Sequence, residues 1–410
     1  MKNTPENPLF PNRRTFVKQL AGAAGAFILA PYGAHSYEIQ GRDSYGGWTG
    51  LRGKATGFFH TEIINGRHWL ITPLGNVFLS LGVNHADASA IQYESNNEIW
   101  KEKYGGSRER WIRESVVKDL KDWGFNTIGW TQELVTFDYG HSPQWTHHDY
   151  QTADMPYCHL LPFAEIQRYK SNVNYPDVFS KDFEDWCDYI ARSHCLEMSE
   201  DPNLIGYFYG DVPGWIFNNE TDSWAEHLGV TPDDNWEGLR PVAEKYYQVI
   251  HDAIRRYDRN HLLLGERYYG PKEIPIPVIE AASKTVDVMC VELFSFWEGL
   301  QPVLSHLHRY SGKPVILADF SYNSPSRVFK VPEDRHHFAE DDHECGQMYR
   351  ENMTKAFAEP YMVGCHLCVY VENHVRMRGL KDHYDKPYEG YVSEAKKFNN
   401  DVYNIAKTAK

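Results

Sequence analysis

The stretch NLIGYFYGDVPGW, Asn203 to Trp215, carries a mostly apolar run from Leu204 to Phe208. It reaches an aspartate, Asp211, with a proline and a glycine just beyond. An apolar run of this length, closed by turn formers, reads as a fully buried strand ending at a loop. A buried strand that finishes on a carboxylate either caps the segment that follows or stands at the mouth of a site.

Seven further runs have the same character: Phe78–Asn84, Phe125–Trp130, Pro156–Phe163, His261–Tyr268, Val286–Ser295, Pro314–Ser321 and Met362–Val371. Segments of helical period separate them. Ile112, Val116, Val117, Leu120 and Trp123 form one apolar stripe. Phe179, Phe183, Trp186 and Ile190 form a second, and Val242, Tyr246, Val249, Ile250 and Ile254 a third. A terminal helix is expected over about 394–407. Eight strands alternating with helical segments is the count of a (β/α)₈ barrel. A doubly wound open sheet is the alternative, but no Gly-rich phosphate loop follows any strand, so a nucleotide has no place here. Ahead of the barrel, GFFHTEIINGRHWLITPLGNVF (57–78) has turns at Asn65-Gly66 and Leu74-Gly75-Asn76 and reads as a short antiparallel meander. The expected organisation is an N-terminal segment and meander over 36–77 and a barrel over 78–410.

Residues 1–35 are expected to lie outside the fold. Asn12-Arg13-Arg14-Thr15-Phe16-Val17-Lys18 precedes a modest Ala- and Gly-rich apolar segment, the pattern of a twin-arginine export signal. That segment is too short to span a bilayer, so a periplasmic or secreted location without a membrane anchor is expected. The 410 residues are 42% hydrophobic and 24% charged, with no long polar tract, so most of the chain should fold. A net charge of −14 argues against nucleic acid as a partner. The seven cysteines show no regular framework, and Cys365-His366-Leu367-Cys368 has CxxC spacing inside an apolar run without a second half. Buried structural cysteines are the expectation, with no metal and no cofactor. Twelve Trp, 27 Tyr and 20 Phe fill a core or offer flat faces to sugar rings.

In a (β/α)₈ barrel the chemistry lies at the C-terminal ends of the strands. Here those ends carry Asn84 and His85, Trp130, Asp211, Glu266 and Arg267, Glu292, Asp319 and Glu372. Carboxylates crowded on one rim repel unless paired with Arg267, His85 or His366, or unless some hold protons. Asp211 and Asp319 end strands four and seven, on opposite sides of the mouth. Glycosidic cleavage needs such a pair, one group to protonate the leaving oxygen and one across the anomeric carbon. A loop cap for Asp211, a buried structural role for Asp319 and a rim salt bridge between Glu266 and Arg267 are the plainer readings.

The segments TEIINGRHWLITPLGNVFLSLGVN (61–84), WGFNTIGW (123–130), DPNLIGYFYGDVPGW (201–215), HLLLGERYYG (261–270), GKPVILADFSY (312–322) and KPYEGY (386–391) resemble, in this order, the agarase-like glycoside hydrolases of the large retaining (β/α)₈ clan. The resemblance covers about residues 57–403 and implies a barrel, no cofactor and catalytic carboxylates after strands four and seven. Three departures stand out, one of them after strand eight, where such relatives often show a Trp-rich pattern and this chain reads Gly364-Cys365-His366-Leu367-Cys368. Where such relatives read Asn-Glu-Pro after strand four, this chain reads Asp211-Val212-Pro213, so Val212 holds the acid/base position. The nucleophile position is Asp319 in place of glutamate.

The expectation is therefore a glycoside hydrolase with Asp211 as general acid and Asp319 as nucleophile or base, acting on an agar-like or related algal or plant glycan. Two shorter side chains widen the gap between the carboxylates, so inversion becomes a possible outcome. Glu292 and Glu266 are the alternative catalytic carboxylates. A carbohydrate-binding barrel without hydrolysis is the alternative from another class. Asn84, His85, Trp130, Trp215, Arg267, Trp297, Tyr322, His366 and Glu372 are the expected substrate contacts, with His374, Arg376 and Arg378 as further rim candidates. The polar connection 323–346 is long enough to cover the mouth.

Overall fold

The computed structural model describes residues 41–408, apart from 94–95, 132–133, 137–139, 165, 167–173, 217–222, 233–234, 272–273, 328–338 and 373–378. The export-signal segment, His374, Arg376, Arg378 and the centre of the 323–346 connection lie outside the described residues.

Four antiparallel strands come first: β1 (Trp48–Arg52), β2 (His60–Ile64), β3 (Arg67–Ile71) and β4 (Asn76–Phe78), ordered β1-β4-β3-β2. The expected meander is β2 to β4. Strand β1 was not legible, because TGLR lacks the alternation that marks a half-buried strand. The chain then closes an eight-stranded parallel barrel from β5 (Ser80–Asn84), β6 (Thr127–Ile128), β9 (Tyr157–Leu160), β10 (Leu204–Asp211), β11 (Leu262–Tyr269), β12 (Met289–Glu292), β13 (Val315–Phe320) and β14 (Met362–Cys368). A small hairpin, β7 (Leu134–Thr136) and β8 (Gly140–Ser142), is inserted after β6. Each barrel strand falls on one of the eight apolar runs, because a strand buried on both faces has no polar side to show.

Two apolar cores result. Cys158, Leu160, Ile205, Phe208, Leu262, Leu264, Val288, Cys290, Ile316, Ala318 and Val363 fill the barrel, and Phe59, Leu70 and Phe78 of the N-terminal sheet join them as a floor. Arg67 latches that sheet to the N-terminal end of β14: Nη1 donates to the carbonyls of Phe357 and Glu359, and Nη2 to that of Met362 at 2.7 Å. The larger core lies between the strands and the surrounding helices. The helix Arg240–Tyr257 buries Val242, Tyr246, Val249, Ile250 and Ile254, as expected, and the terminal helix spans Glu389–Ala406. The helix Lys181–Met198 differs. It buries Phe183, Cys187, Ile190, Ala191, Cys195 and Met198, whereas Phe179 and Trp186 are exposed. The small residues Ala191 and Cys195 supply that face, and an aromatic-weighted reading misplaces it.

Candidate active site

The end of β10 is not a simple cap. Asp211 is 5% exposed and meets Arg267 of β11, whose Nε and Nη2 approach the same carboxylate oxygen at 2.8 and 2.7 Å. Across the mouth, Nη1 of the same guanidinium lies 3.4 Å from Asp319 Oδ2. Asn84 Nδ2 donates to Asp319 Oδ1 at 2.7 Å, and His85 Nε2 is 3.9 Å from Oδ2. Burial opposes ionisation of Asp319, but Arg267, His85 and Asn84 outweigh it and hold the carboxyl well below the usual range. For Arg267 burial works against the cation, yet Asp211, Asp319 and Glu292 together hold the guanidinium above its ordinary value. The geometry thus assembles one arginine among three carboxylates.

The wall of the mouth is built to hold this arrangement. Trp130 is fully buried and lies under the Arg267 guanidinium, 4.0 Å from ring centroid to Cζ. The Trp130 backbone N–H donates to Asn84 Oδ1 at 2.7 Å, which fixes the amide that orients Asp319. A Cβ on the neighbouring Gly129 would stand 2.3 Å from that same Oδ1, so only glycine admits this approach. Two residues just past barrel strands sit in the left-handed region without being glycine: His85 at φ 49° and Val212 at φ 44°. Such strain collects at functional sites and persists where the surroundings over-determine it; the Val212 N–H is tied to the Arg267 carbonyl at 2.9 Å.

Deeper in the barrel, His366 is completely buried. Its Nε2 is 2.8 Å from the Ser80 hydroxyl, and burial, with Arg267 adding to it, pushes the imidazole down to about 3, so it is neutral. Among the described residues its Nδ1 has no hydrogen-bond partner.

Other expected site residues are placed elsewhere. Glu266 faces the helix layer and accepts from Trp215 Nε1 (3.1 Å), Tyr246 (3.1 Å) and Tyr247 (2.5 Å). Burial pushes its carboxyl up, against the pull of those three donors. Trp215 stacks on Trp224 and Tyr247 in the same layer. Trp297 opens the helix Trp297–Ser311, its N–H bonded to Asn352 Oδ1. Tyr322 is buried against Phe296, and its hydroxyl donates to the Ser295 carbonyl at 3.3 Å. Glu372 accepts from Ser326 (3.1 Å) and Tyr388 (3.0 Å), and burial pushes it up to about 7. Glu292 ends β12 in register with Asp319 and is less buried than either aspartate. One neighbour that the sequence assigns to the structural core is Cys368, which with His85 and Asp319 brings ligand-type atoms within 4.8 Å of one another. The signal was the alternation Gly364, His366, Cys368 on one face of β14. All seven cysteines are buried, and none forms a disulfide.

Among the described residues no helix is long and apolar enough to cross a membrane. No family model matches the chain. Beta-agarase B of Vibrio sp. (strain JT0107) is 21% identical to it over 90% of this chain and 51% of that protein. Beta-agarase A of the same organism is 21% identical over 78% of this chain and 38% of that one. The chain thus spans about half the length, or less, of these relatives. Among solved structures, the agarase AgWH50C superposes with a TM-score of 0.72 at 21% identity, covering 90% of this chain and 67% of that one. An exo-beta-agarase does so with a TM-score of 0.73 at 19% identity, covering 90% and 69%. In fold the chain is similar to these agarases: a (β/α)₈ barrel preceded by a small antiparallel sheet.

Proposed function

We propose that this protein is an exported glycoside hydrolase that cleaves an agar-like galactan, with Asp319 as the ionised carboxylate at the anomeric carbon. The observation that carries the reading is the grip on Asp319: Asn84, His85 and Arg267 hold a nearly buried carboxylate charged at the C-terminal end of the seventh barrel strand. A nucleophile or base needs the ionised form and a fixed direction, and these three partners supply both. Asp211 is the proposed proton donor. Two guanidinium N–H groups already hold one oxygen of its carboxyl group in the free protein. Donation therefore requires that the entering sugar draw Arg267 away from Asp211. Glu292, beside Asp319 and more exposed, is the alternative donor.

The same salt bridge favours a second reading. With Val212 at the position where the relatives resembled above carry their acid, a barrel whose aspartates are both neutralised by Arg267 is suited to binding sugar without cleaving it. Reducing-sugar release from agarose and agaro-oligosaccharides, run beside calorimetric binding of the same oligosaccharides, separates the two. Hydrolysis that falls by roughly 10³-fold in Asp319→Asn supports the first reading. Binding without product, unchanged in that variant, supports the second. The anomeric configuration of the first product, read by NMR, then distinguishes retention from inversion.

A further inference from the structure

Among the described residues, three carboxylates at the mouth act on one arginine, Arg267. Asp211 and Asp319 contact Arg267 directly, and Glu292 also acts on it electrostatically. Beside them, His85, Asp319 and Cys368 offer one nitrogen, one oxygen and one sulfur within 4.8 Å of one another. Each of the three residues is buried, at 4% exposure. We propose that His85, Asp319 and Cys368 bind Zn²⁺, with a fourth coordination position open to a water or a sugar oxygen.

The donor set suits this ion. Zinc takes imidazole nitrogen and carboxylate oxygen at about 2.0–2.2 Å and thiolate sulfur at about 2.3 Å, in tetrahedral sites that often keep one position open. Tetrahedral donors at those lengths lie about 3.4–3.8 Å apart. The His85 Nε2 to Asp319 Oδ2 separation of 3.9 Å is close to that, so the three groups need only draw in slightly. The support behind the donors is already built. Asn84 holds Asp319 Oδ1, which leaves Oδ2 toward His85, and the Trp130 backbone N–H holds Asn84. Such outer contacts orient metal ligands and raise their affinity. The His85 backbone is fixed by its N–H bond to the Trp130 carbonyl at 2.7 Å.

Arg267 is the obvious objection, since it is a cation near the same carboxylate. Its hold on Asp211 is the tighter one, two contacts at 2.7 and 2.8 Å against 3.4 Å to Asp319. It can stay on Asp211 while Asp319 Oδ2 turns to the metal. Binding replaces the S–H bond of Cys368 with an S–Zn bond and releases that proton to solvent, so affinity rises with pH. The site does not depend on the proposed hydrolysis. If Asp319 is the nucleophile, however, zinc engages the same oxygen and inhibits.

The full chain, stripped with a chelator, would be titrated with ZnCl₂ by calorimetry and with Co²⁺ by absorption spectroscopy. One equivalent of zinc and a thiolate-to-cobalt charge-transfer band are expected. Cys368→Ser should abolish the band, and Cys368→Ser and His85→Gln should each weaken zinc binding by roughly 100-fold. Absence of stoichiometric binding, a cobalt spectrum without a sulfur band, or affinity unchanged in either variant overturns the proposal. Should Cys368→Ser fail to fold, the wild-type cobalt spectrum and His85→Gln decide. Because these readouts are of binding, a protein that binds zinc but cleaves nothing leaves this inference standing and removes only the hydrolase reading.

Discussion

Arg267 holds Asp211 through two N–H groups converging on one carboxylate oxygen, and its third nitrogen reaches Asp319. One side chain from β11 thereby ties the ends of β10 and β13, which face each other across the barrel. Replacing it with an apolar residue of similar length strips the cation from two buried carboxylates and leaves Asp319 only Asn84 and His85. Breaking a buried pair in this way costs about 3–5 kcal/mol. Arg267→Met should lose stability on that scale in chemical denaturation at pH 7. Arg267→Lys, which keeps the charge but cannot span both aspartates, should lose less. A Met variant as stable as the wild type would mean that the aspartates are not charged in the fold.

Val212 offers a gain-of-function test. It follows Asp211, is 5% exposed, and has a φ of 44° that a β-branched residue rarely adopts. The resemblance of the strand-four motif implies an acid/base glutamate at this position. If the proton donor is what limits cleavage, Val212→Glu should raise kcat/KM on agaro-oligosaccharides by roughly 10²-fold. Aryl glycosides with good leaving groups, which need little protonation, should gain much less. Equal gains on both substrates, or none, would show that Asp211 or Glu292 already supplies the proton.

The strands were legible in the sequence, but the faces of their ends were not. Along β11, Leu262 and Leu264 point into the barrel and Leu263 points out. Strict alternation would then turn Glu266 inward and Arg267 outward. The structure shows the reverse, because Gly265 sits at φ 66° where the β10–β11 register shifts. A one-residue slip flips every side chain beyond it. This is why Glu266, read as a rim carboxylate, lies among tyrosines of the helix layer. The β12–β13 and β13–β14 registers also shift near Asp319. Bulges of this kind leave only a glycine or nothing at all in the sequence. Pairings such as Asn84 with Asp319, 235 residues apart, leave no local trace either.

Gly265 should accordingly be intolerant of a side chain. A Cβ there meets Val286 Cγ1 at 3.1 Å, and the left-handed backbone costs a non-glycine residue about 1–2 kcal/mol. Gly265→Ala should lower the denaturation midpoint by a corresponding amount. It should also depress binding or turnover, because the bulge aims Arg267. Loss of stability without any effect at the mouth would separate the bulge from the site.

Glu266 tests the assignment of faces from the other side. Its carboxylate accepts from Trp215, Tyr246 and Tyr247, and Glu266→Gln sets an amide N–H₂ against one or more of those donors. An unsatisfied buried donor costs about 1–3 kcal/mol. The variant should be destabilised by that much, while kcat of the folded protein stays at the wild-type value. A collapse of kcat with stability intact would return Glu266 to the catalytic candidates.

Glu372 gives the protein a pH dependence of its own. Burial raises its carboxyl from an ordinary value of 4.5 to about 7, against the pull of the Tyr388 and Ser326 hydroxyls. A folded-state value above the unfolded one means that the folded protein binds the extra proton. The stabilisation is therefore complete below about pH 4.5 and is lost as pH rises through 7. Over that window the difference amounts to at most about 3 kcal/mol. Glu372→Gln, neutral throughout, removes this contribution. Unfolding free energies measured from pH 4.5 to 8 should converge or cross, with the wild type losing ground to the variant as pH rises. Two parallel curves would show that Glu372 titrates normally and that its environment is wetter than its 1% exposure implies.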